Sequence, residues 1–510
     1  MDKIRLYEVF EKGFTDLKSM EPVKFEATFT NGTDKYTVNL FADGANRYLV
    51  RFLPQKTGQW DYSIDLDGNV VKGSFLCEGR DSNNHGLVKA IGDRFQYEDG
   101  TRYLPFGTTC YAWTHQTEEL QQQTIDTLKA SPYNKIRMCV FPKSMPYNEN
   151  EPELFPFHKK EDGAWDVNQP NADFWHHLEN RISQLGQLGI EADLILFHPY
   201  DRWGFSKFTH EEDLIYLKYC ITRLSAFHNI WWSLANEFDF VPGKLFEEWD
   251  DFGNMVLAVD PYRHLTSIHN GFVVYPKKPW MTHCSIQGDA QKTITWKNKY
   301  DMPVLIDECG YEGDIEYSWG NLSAFEMVNR VWTAVTRGGY CTHGETYHRD
   351  DEVLWWAKGG LLYGESSERI AFLRKLLESI PENLQLVQKH LFNINPNDHK
   401  DSSNINTDNP IIKSLFSLPE HERDAHLLNF MPNMISSASY RLHYLGRQRP
   451  SIMDYTVPEN GKYQIEVIDV WEMSRTLLHD EVAGNIKLRL PGKEGIAILV
   501  TRLEGDSLVD

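Results

Sequence analysis

The sequence predicts an α/β protein: a central (β/α)8 barrel flanked by an N-terminal and a C-terminal β-sandwich. Three observations carry that reading. From about residue 95, short apolar runs alternate with stretches of helical period, the signature of β/α units in a parallel sheet. Both ends of the chain alternate apolar and polar residues instead, as antiparallel sheets with one buried face do. Two of the apolar runs, Ile230–Ala235 and Val304–Asp307, stop at carboxylates, where a barrel mounts its chemistry.

Residues 1–88 read as the N-terminal β-sandwich. Strand patterns cover Lys24–Thr30 and Arg47–Leu53, and turns are expected at Asn31-Gly32, Asp43-Gly44 and Asp67-Gly68. Residues 89–392 read as the barrel. Its eight strands are expected at Tyr103–Thr108, Lys135–Phe141, Glu191–Phe197, Ile230–Ala235, Leu265–Ile268, Cys284–Gln287, Val304–Asp307 and Gly339–Thr342. Helical patterns between them are clearest at Thr117–Ala130, Phe174–Leu188, Glu211–Phe227, Leu245–Val259 and Leu322–Thr336.

Between the second strand and its helix, residues 142–172 form a long insertion bearing Phe155, Phe157 and Trp165. Its position over the barrel mouth makes it a wall of the cleft. Residues 366–392 read as the last barrel helix and its exit. The turn-forming stretch Asn393–Asn404 opens a linker or exposed loop over 393–423, and 424–510 form the C-terminal β-sandwich with strands in Lys462–Val470 and Gly495–Thr501.

Composition narrows the function. With 52 basic and 73 acidic residues the net charge is −21, a surface that repels nucleic acid and anionic membranes. No signal-like apolar core opens the chain and no run approaches a membrane span. Seven scattered Cys without a CxxC read as free thiols, so the expected location is the cytoplasm. Fifteen Trp and 24 Tyr exceed core needs and favour stacking on sugar rings. A carbohydrate is the expected partner, and the acidic surface leaves room for a homo-oligomer.

Nearly every expected strand end carries polar or aromatic side chains. Trp113 and His115 follow the first strand, Arg137 lies in the second, and His198-Pro-Tyr-Asp-Arg202 closes the third. Asn236-Glu237 closes the fourth, His269 follows the fifth, Gln287 ends the sixth, Asp307-Glu308 close the seventh, and His343-Gly344-Glu345 follow the eighth. Two carboxyls converging on one mouth, Glu237 and Glu308, suit glycoside hydrolysis. Arg137 pairs with barrel carboxylates or, near Glu308, keeps a nucleophile ionised. Trp113 packs the core or underlies a sugar. His198, His269 and His343 raise metal-assisted hydrolysis, but after the first strand there is only Thr114-His115-Gln116, and HExxH, CxxC and EF-hand patterns are absent. No metal and no cofactor are expected, and the GxSxG, Walker A and GxGxxG motifs are missing too.

On these residues the chain resembles the clan A glycoside hydrolases, retaining (β/α)8 enzymes. The resemblance implies that Glu237, after Asn236, is the acid/base, that Glu308 is the nucleophile, and that Asn236 contacts the sugar 2-hydroxyl. Arg137 and His198 match positions that support the nucleophile and the sugar. With Arg47–Trp60 in an N-terminal sandwich and a small C-terminal β domain, the layout is similar to the apiosidase-like bacterial glycosidases. The clan commonly has a Trp after the eighth strand, where this chain has His343-Gly344-Glu345, and a Tyr or His near the sixth, where it has Gln287; both departures point to an unusual first sugar.

The expected activity is retaining hydrolysis by a two-Glu double displacement, exo-acting on short oligosaccharides or glycosides. Two other readings stand beside it: a transglycosylase on the same barrel, and a catalytically inactive carbohydrate-binding barrel.

Overall fold

The structure is a computed structural model that describes residues 2–387 except 18 and 20, residues 409–419, 422, 426 and 428, and residues 431–509. The polar stretch Asn393–Asn404 lies outside the described residues. Within the expected linker, Pro410–Phe416 form a short helix, capped by Asn409. The chain divides into two compact units, residues 1–285 with 348–362 and residues 286–347 with 363–510.

In the first unit the N-terminal strands form one seven-stranded sheet, in the order Asp2–Arg5, Asn69–Glu78, Gly58–Leu66, Val23–Asn31, Asp34–Ala42, Arg47–Phe52, Phe10–Thr15. The three expected turns fall between these strands. Asp67 and Gly68 both have positive φ, 54° and 91°, as a two-residue hairpin loop requires. Stacked pairs Phe10–Phe75 at 4.4 Å and Phe29–Phe52 at 4.2 Å sit in an apolar core that also takes Ala226 and Tyr262 from the β/α region. A buried ionic network fastens this sheet to two helices. Arg51 donates to both oxygens of Glu179 at 2.5 and 3.0 Å, Arg223 binds the same carboxylate, and Arg223 also reaches Asp43 at 2.9 Å.

The rest of this unit is built on a five-stranded sheet, all parallel: Gly107–Thr109, Lys135–Cys139, Glu191–Phe197, Ile230–Ala235 and Thr266–Ser267. The second to fourth strands are buried at every position, and Lys135 in the second is paired inside with Asp193 in the third at 2.7 Å. The crossover helices begin where the sequence supplies caps. Thr117 caps Glu118–Ala130, Asn171 caps Ala172–Gln187, and Thr209 with Glu212 makes a capping box for His210–Leu224.

Two boundaries differ from expectation. The first strand is Gly107–Thr109, and Arg102–Tyr103 belong to a small antiparallel sheet with Arg94–Tyr97, because Pro105 between them has no N–H to donate. The insertion 142–172 folds as a hairpin, Phe157–Lys159 with Trp165–Pro170. Trp165 stacks on Phe205 at 4.9 Å and donates to the Trp203 carbonyl at 2.9 Å.

In the second unit, Val304–Glu308 pairs in parallel with Tyr340–Cys341. Helix Ala324–Thr336 starts at a Ser323 cap, and helix Ser366–Ser379 ends before Pro381, which leaves the rest of the expected helix-and-exit segment non-helical as far as residue 387. The C-terminal region is a six-stranded sheet and a two-stranded ribbon, Ile452–Thr456 with Asn485–Arg489. Residues of both enter one apolar core, Tyr463, Ile465, Ile498 and Val500 from the sheet and Tyr455 and Leu488 from the ribbon. No described helix is long and apolar enough to cross a membrane.

Candidate active site

The strand Ile230–Ala235 delivers Asn236 and Glu237 to its C-terminal end, and a hydrogen-bond lattice fixes both side chains. Asn236 N–H donates to the Phe197 carbonyl at 2.9 Å, which continues the ladder past the last strand residue. The chain then reverses. Glu237 has φ 51° and ψ 59°, a left-handed conformation that costs a side-chain-bearing residue about 1 kcal/mol or more. Phe238 N–H to the His269 carbonyl, 3.0 Å, and Phe240 N–H to the Glu237 carbonyl, 2.9 Å, hold the reversal in place. Strain of this kind is sustained where the surroundings over-determine it, and such places cluster at functional sites.

The Glu237 carboxyl is 6% exposed. Its Oε2 accepts from the Tyr200 phenol and, at 3.0 Å, from the Asn236 amide. The Asn236 carbonyl oxygen accepts in turn from Arg137 Nη2 at 2.9 Å and from the Tyr111 phenol at 3.0 Å. Arg137 Nη1 also donates to the Tyr111 oxygen at 3.2 Å. These bonds determine which way the Asn236 amide faces, because an arginine can only donate. The Asn236 nitrogen therefore points at Glu237.

Lys143, which the sequence reading placed merely at the start of the insertion, is 3% exposed here. Its ammonium lies over the Tyr111 ring at 3.3 Å, the Tyr200 ring at 4.3 Å and the Trp356 ring at 5.5 Å, a cation–π cage around a desolvated charge. Trp356 arrives on a short helix, Trp355–Lys358, which Tyr111 N–H and Ala112 N–H tie down through the carbonyls of Trp356 and Ala357.

His115 and His198 hang from adjacent carbonyls, their Nε2–H donating to Val140 and Phe141, each at 3.2 Å. Both are therefore neutral Nε2–H tautomers. Burial holds His115 down at about 3. Burial and then the Lys143 charge hold His198 at about 4. Among the described residues neither Nδ1 has a partner. Trp113 is fully buried, which fits core packing and not a sugar platform. His269 is fully buried, and its backbone bridges Ala235 and Phe238.

The remaining candidates belong to the second unit. Glu308 ends its strand half-buried, with its carbonyl accepting from Gly288 N–H at 2.9 Å. Asp307 beside it is buried and accepts from Thr342 Oγ1 at 2.6 Å, a supporting role. Gln287 is half-buried at the end of Cys284–Gln287. His343 and Glu345 lie with Glu312, which the sequence reading passed over, their ligand atoms all within 4.8 Å of one another.

That trio has metal-type donors, but its two carboxylates already accept from backbone and hydroxyl donors. Glu312 accepts from Tyr347 Oη at 3.0 Å, from Glu365 and Ser366 N–H at 2.9 and 3.2 Å, and from the Ser366 hydroxyl. Four donors fill a carboxylate's four acceptor positions. Glu345 accepts from Tyr363 N–H at 2.5 Å and Gly364 N–H at 2.8 Å. The pair thus clamps the segment that enters helix Ser366–Ser379. Burial first, and the Glu312 charge among the lesser causes, push Glu345 up to about 7, while burial holds His343 at about 3.

Comparison with known proteins places the chain. The family profile described as "Apiosidase-like, catalytic domain" matches residues 90–382. Two profiles described as domains of unknown function, DUF5060 and DUF5605, match residues 3–67 and 430–501. Among solved structures, a candidate glycoside hydrolase from Bacteroides vulgatus is 34% identical, with 99% of this chain and 100% of that one covered at a TM-score of 0.85. A family 5 glycoside hydrolase from the same organism is 14% identical, with 82% of this chain and 94% of that one covered at a TM-score of 0.57, which is a likeness of fold alone. A search of curated proteins returned no match.

Proposed function

The chain belongs to the apiosidase-like glycosidases, and from that premise we propose a retaining exo-glycosidase in which Glu237 is the acid/base and Glu308 the nucleophile. Glu308 attacks the anomeric carbon while Glu237 protonates the departing oxygen. Glu237 then deprotonates water, which releases the sugar with its configuration retained. Asn236 binds the sugar next to the reacting carbon, with Arg137 and Tyr111 fixing its amide. His198 accepts a sugar hydroxyl on Nδ1, a role its neutral tautomer allows.

The observation that carries this reading is the locked Asn236–Glu237 pair: a buried carboxyl in a left-handed backbone, held by two donors at a strand end. The fold we propose for it is a closed (β/α)8 barrel over 89–392, with sandwiches over 1–88 and 424–510. The family matches at 3–67, 90–382 and 430–501 support that division.

A panel of aryl glycosides that includes an apioside tests the proposal, with the product anomer followed by NMR. Turnover with net retention, abolished by Glu308→Ala, is the expected result. Net inversion would remove Glu308 from the nucleophile role, since inversion places water between carboxyls about 6.5–9.5 Å apart, whereas retention needs about 5–5.5 Å. No turnover on any glycoside, with tight binding of one, would favour the inactive binding barrel.

A further inference from the structure

The turn that carries Glu237 also carries an aromatic residue built outward. Phe272 is 86% exposed and Val273 beside it 54%. Such exposure of a large apolar side chain ordinarily belongs to a loose loop, yet this segment is fastened. Asp239, two residues after Glu237, accepts three successive backbone amides: Gly271 at 2.6 Å, Phe272 at 2.7 Å and Val273 at 2.8 Å. The Phe240 ring meets Phe272 edge to face at 4.9 Å. It also lies so close to Gly271 that a Cβ there would approach it to 2.5 Å. Further along, Tyr275 stacks on Phe246 at 4.5 Å, and Trp280 donates to Asp250 at 3.1 Å. Both ends of the loop are pinned while the Phe272 face stays in water, an arrangement that marks a binding surface.

We propose that Phe272 is the platform for the leaving group, stacking on the apolar face of a ring: an aryl aglycone or a second sugar. The inference rests on Glu237 being the acid/base. That residue protonates the leaving oxygen, so the leaving group lies on its side of the bond, and Asp239 and Phe240 tie Phe272 to the same turn. A flat ring matches the exposed phenyl face and needs no charge. Asp239 is the positioning residue: it aims the platform without touching the ring.

The test compares benzyl, methyl and disaccharide substrates of one sugar, the sugar being one whose aryl glycoside the wild type cleaves. Benzyl and methyl leaving groups are chemically alike and differ in the ring. Ring stacking of about 1.4 kcal/mol corresponds to about tenfold, so Phe272→Ala should lower the benzyl-to-methyl ratio of kcat/KM about tenfold, and Phe272→Trp should restore it. Asp239→Asn should lower the same ratio. A fall confined to the disaccharide-to-methyl ratio would identify the occupant as a sugar. Ratios that stay constant in Phe272→Ala while the wild type remains active overturn the platform and leave the glycosidase assignment standing. If Glu237→Gln cleaves the benzyl substrate as fast as the wild type, the acid/base reading falls and the platform falls with it. A shift from oligomer to monomer in Phe272→Ala, with constant ratios, would make the patch a contact between copies and overturn the proposal too.

Discussion

The Tyr200 phenol and the Asn236 amide donate to the same oxygen of Glu237, Oε2. Both bonds favour the ionised form of the carboxyl. A hydrogen bond to a charged group is worth about 1.5–3 kcal/mol, and about 1.4 kcal/mol is one pH unit.

With Glu237 as the proposed acid, Tyr200→Phe should therefore move the alkaline limb of the kcat/KM profile up. The limb reports the free enzyme's acid, so a profile measured across neutral pH reads it directly. An unmoved limb would mean that the Tyr200 bond has no hold on the acid.

Lys143→Met should raise the titration of His198 from about 4, because the variant removes the ammonium charge that helps to keep the imidazole neutral. The rise should be partial, since burial is the larger cause. Imidazole NMR signals followed against pH would show it. A His198 unchanged in the variant would refute any coupling between the two.

Glu179 accepts from two buried guanidiniums, Arg51 and Arg223. Glu179→Ala leaves both without their shared carboxylate, and the loss of one partner in a buried ion pair costs about 3–5 kcal/mol. Denaturant unfolding should show that loss, with the N-terminal sheet's signals going first. A change under about 1 kcal/mol would reduce the network to a surface ion pair.

Stability should peak near neutrality. Burial holds His115 and His343 at about 3 and His198, His228 and His443 at about 4. The unfolded chain takes up those five protons below about 6.5, so stability falls as pH drops through that window. Glu345, Asp213 and Glu191 act oppositely, raised to about 7, about 7 and about 8. The native state keeps their protons, and stability is lost as pH rises through those values. Between about 4.5 and 6.5 five groups outweigh three, a net of two protons and up to about 3 kcal/mol per pH unit. Melting temperatures should climb to about pH 6.5 and fall again as pH rises towards about 8. A flat curve from pH 4.5 to 6.5 would contradict the buried neutral histidines.

Local pattern made much of this protein legible. Ile230–Ala235 and Val304–Asp307 read as strands because a short, mainly apolar run suits a strand buried on both faces. The helix start at Thr117 was legible because orphan N–H groups need a capping oxygen, whereas the helices expected from Phe174 and Glu211 begin earlier, at the caps Asn171 and Thr209. Asn236-Glu237 stood out because two polar residues end an apolar run. Where a neighbour in sequence set the limit, as Pro105 does, the reading went astray only by overlooking a residue in plain view.

Other features had no local signature. Lys143 reads as one more surface cation until Tyr111, Tyr200 and Trp356, from three separate parts of the chain, close around it. Glu345 reads as a strand-end ligand, and only the fold brings it the Tyr363 and Gly364 amides. Trp113 has the composition of a sugar platform and the burial of a core residue. The sequence by itself determined which segments are strands and helices and which carboxyls stand at their ends, because those follow from burial period and capping over a few residues. Tertiary structure decided what each polar side chain touches, because desolvation and hydrogen bonding are settled by partners tens to hundreds of residues away.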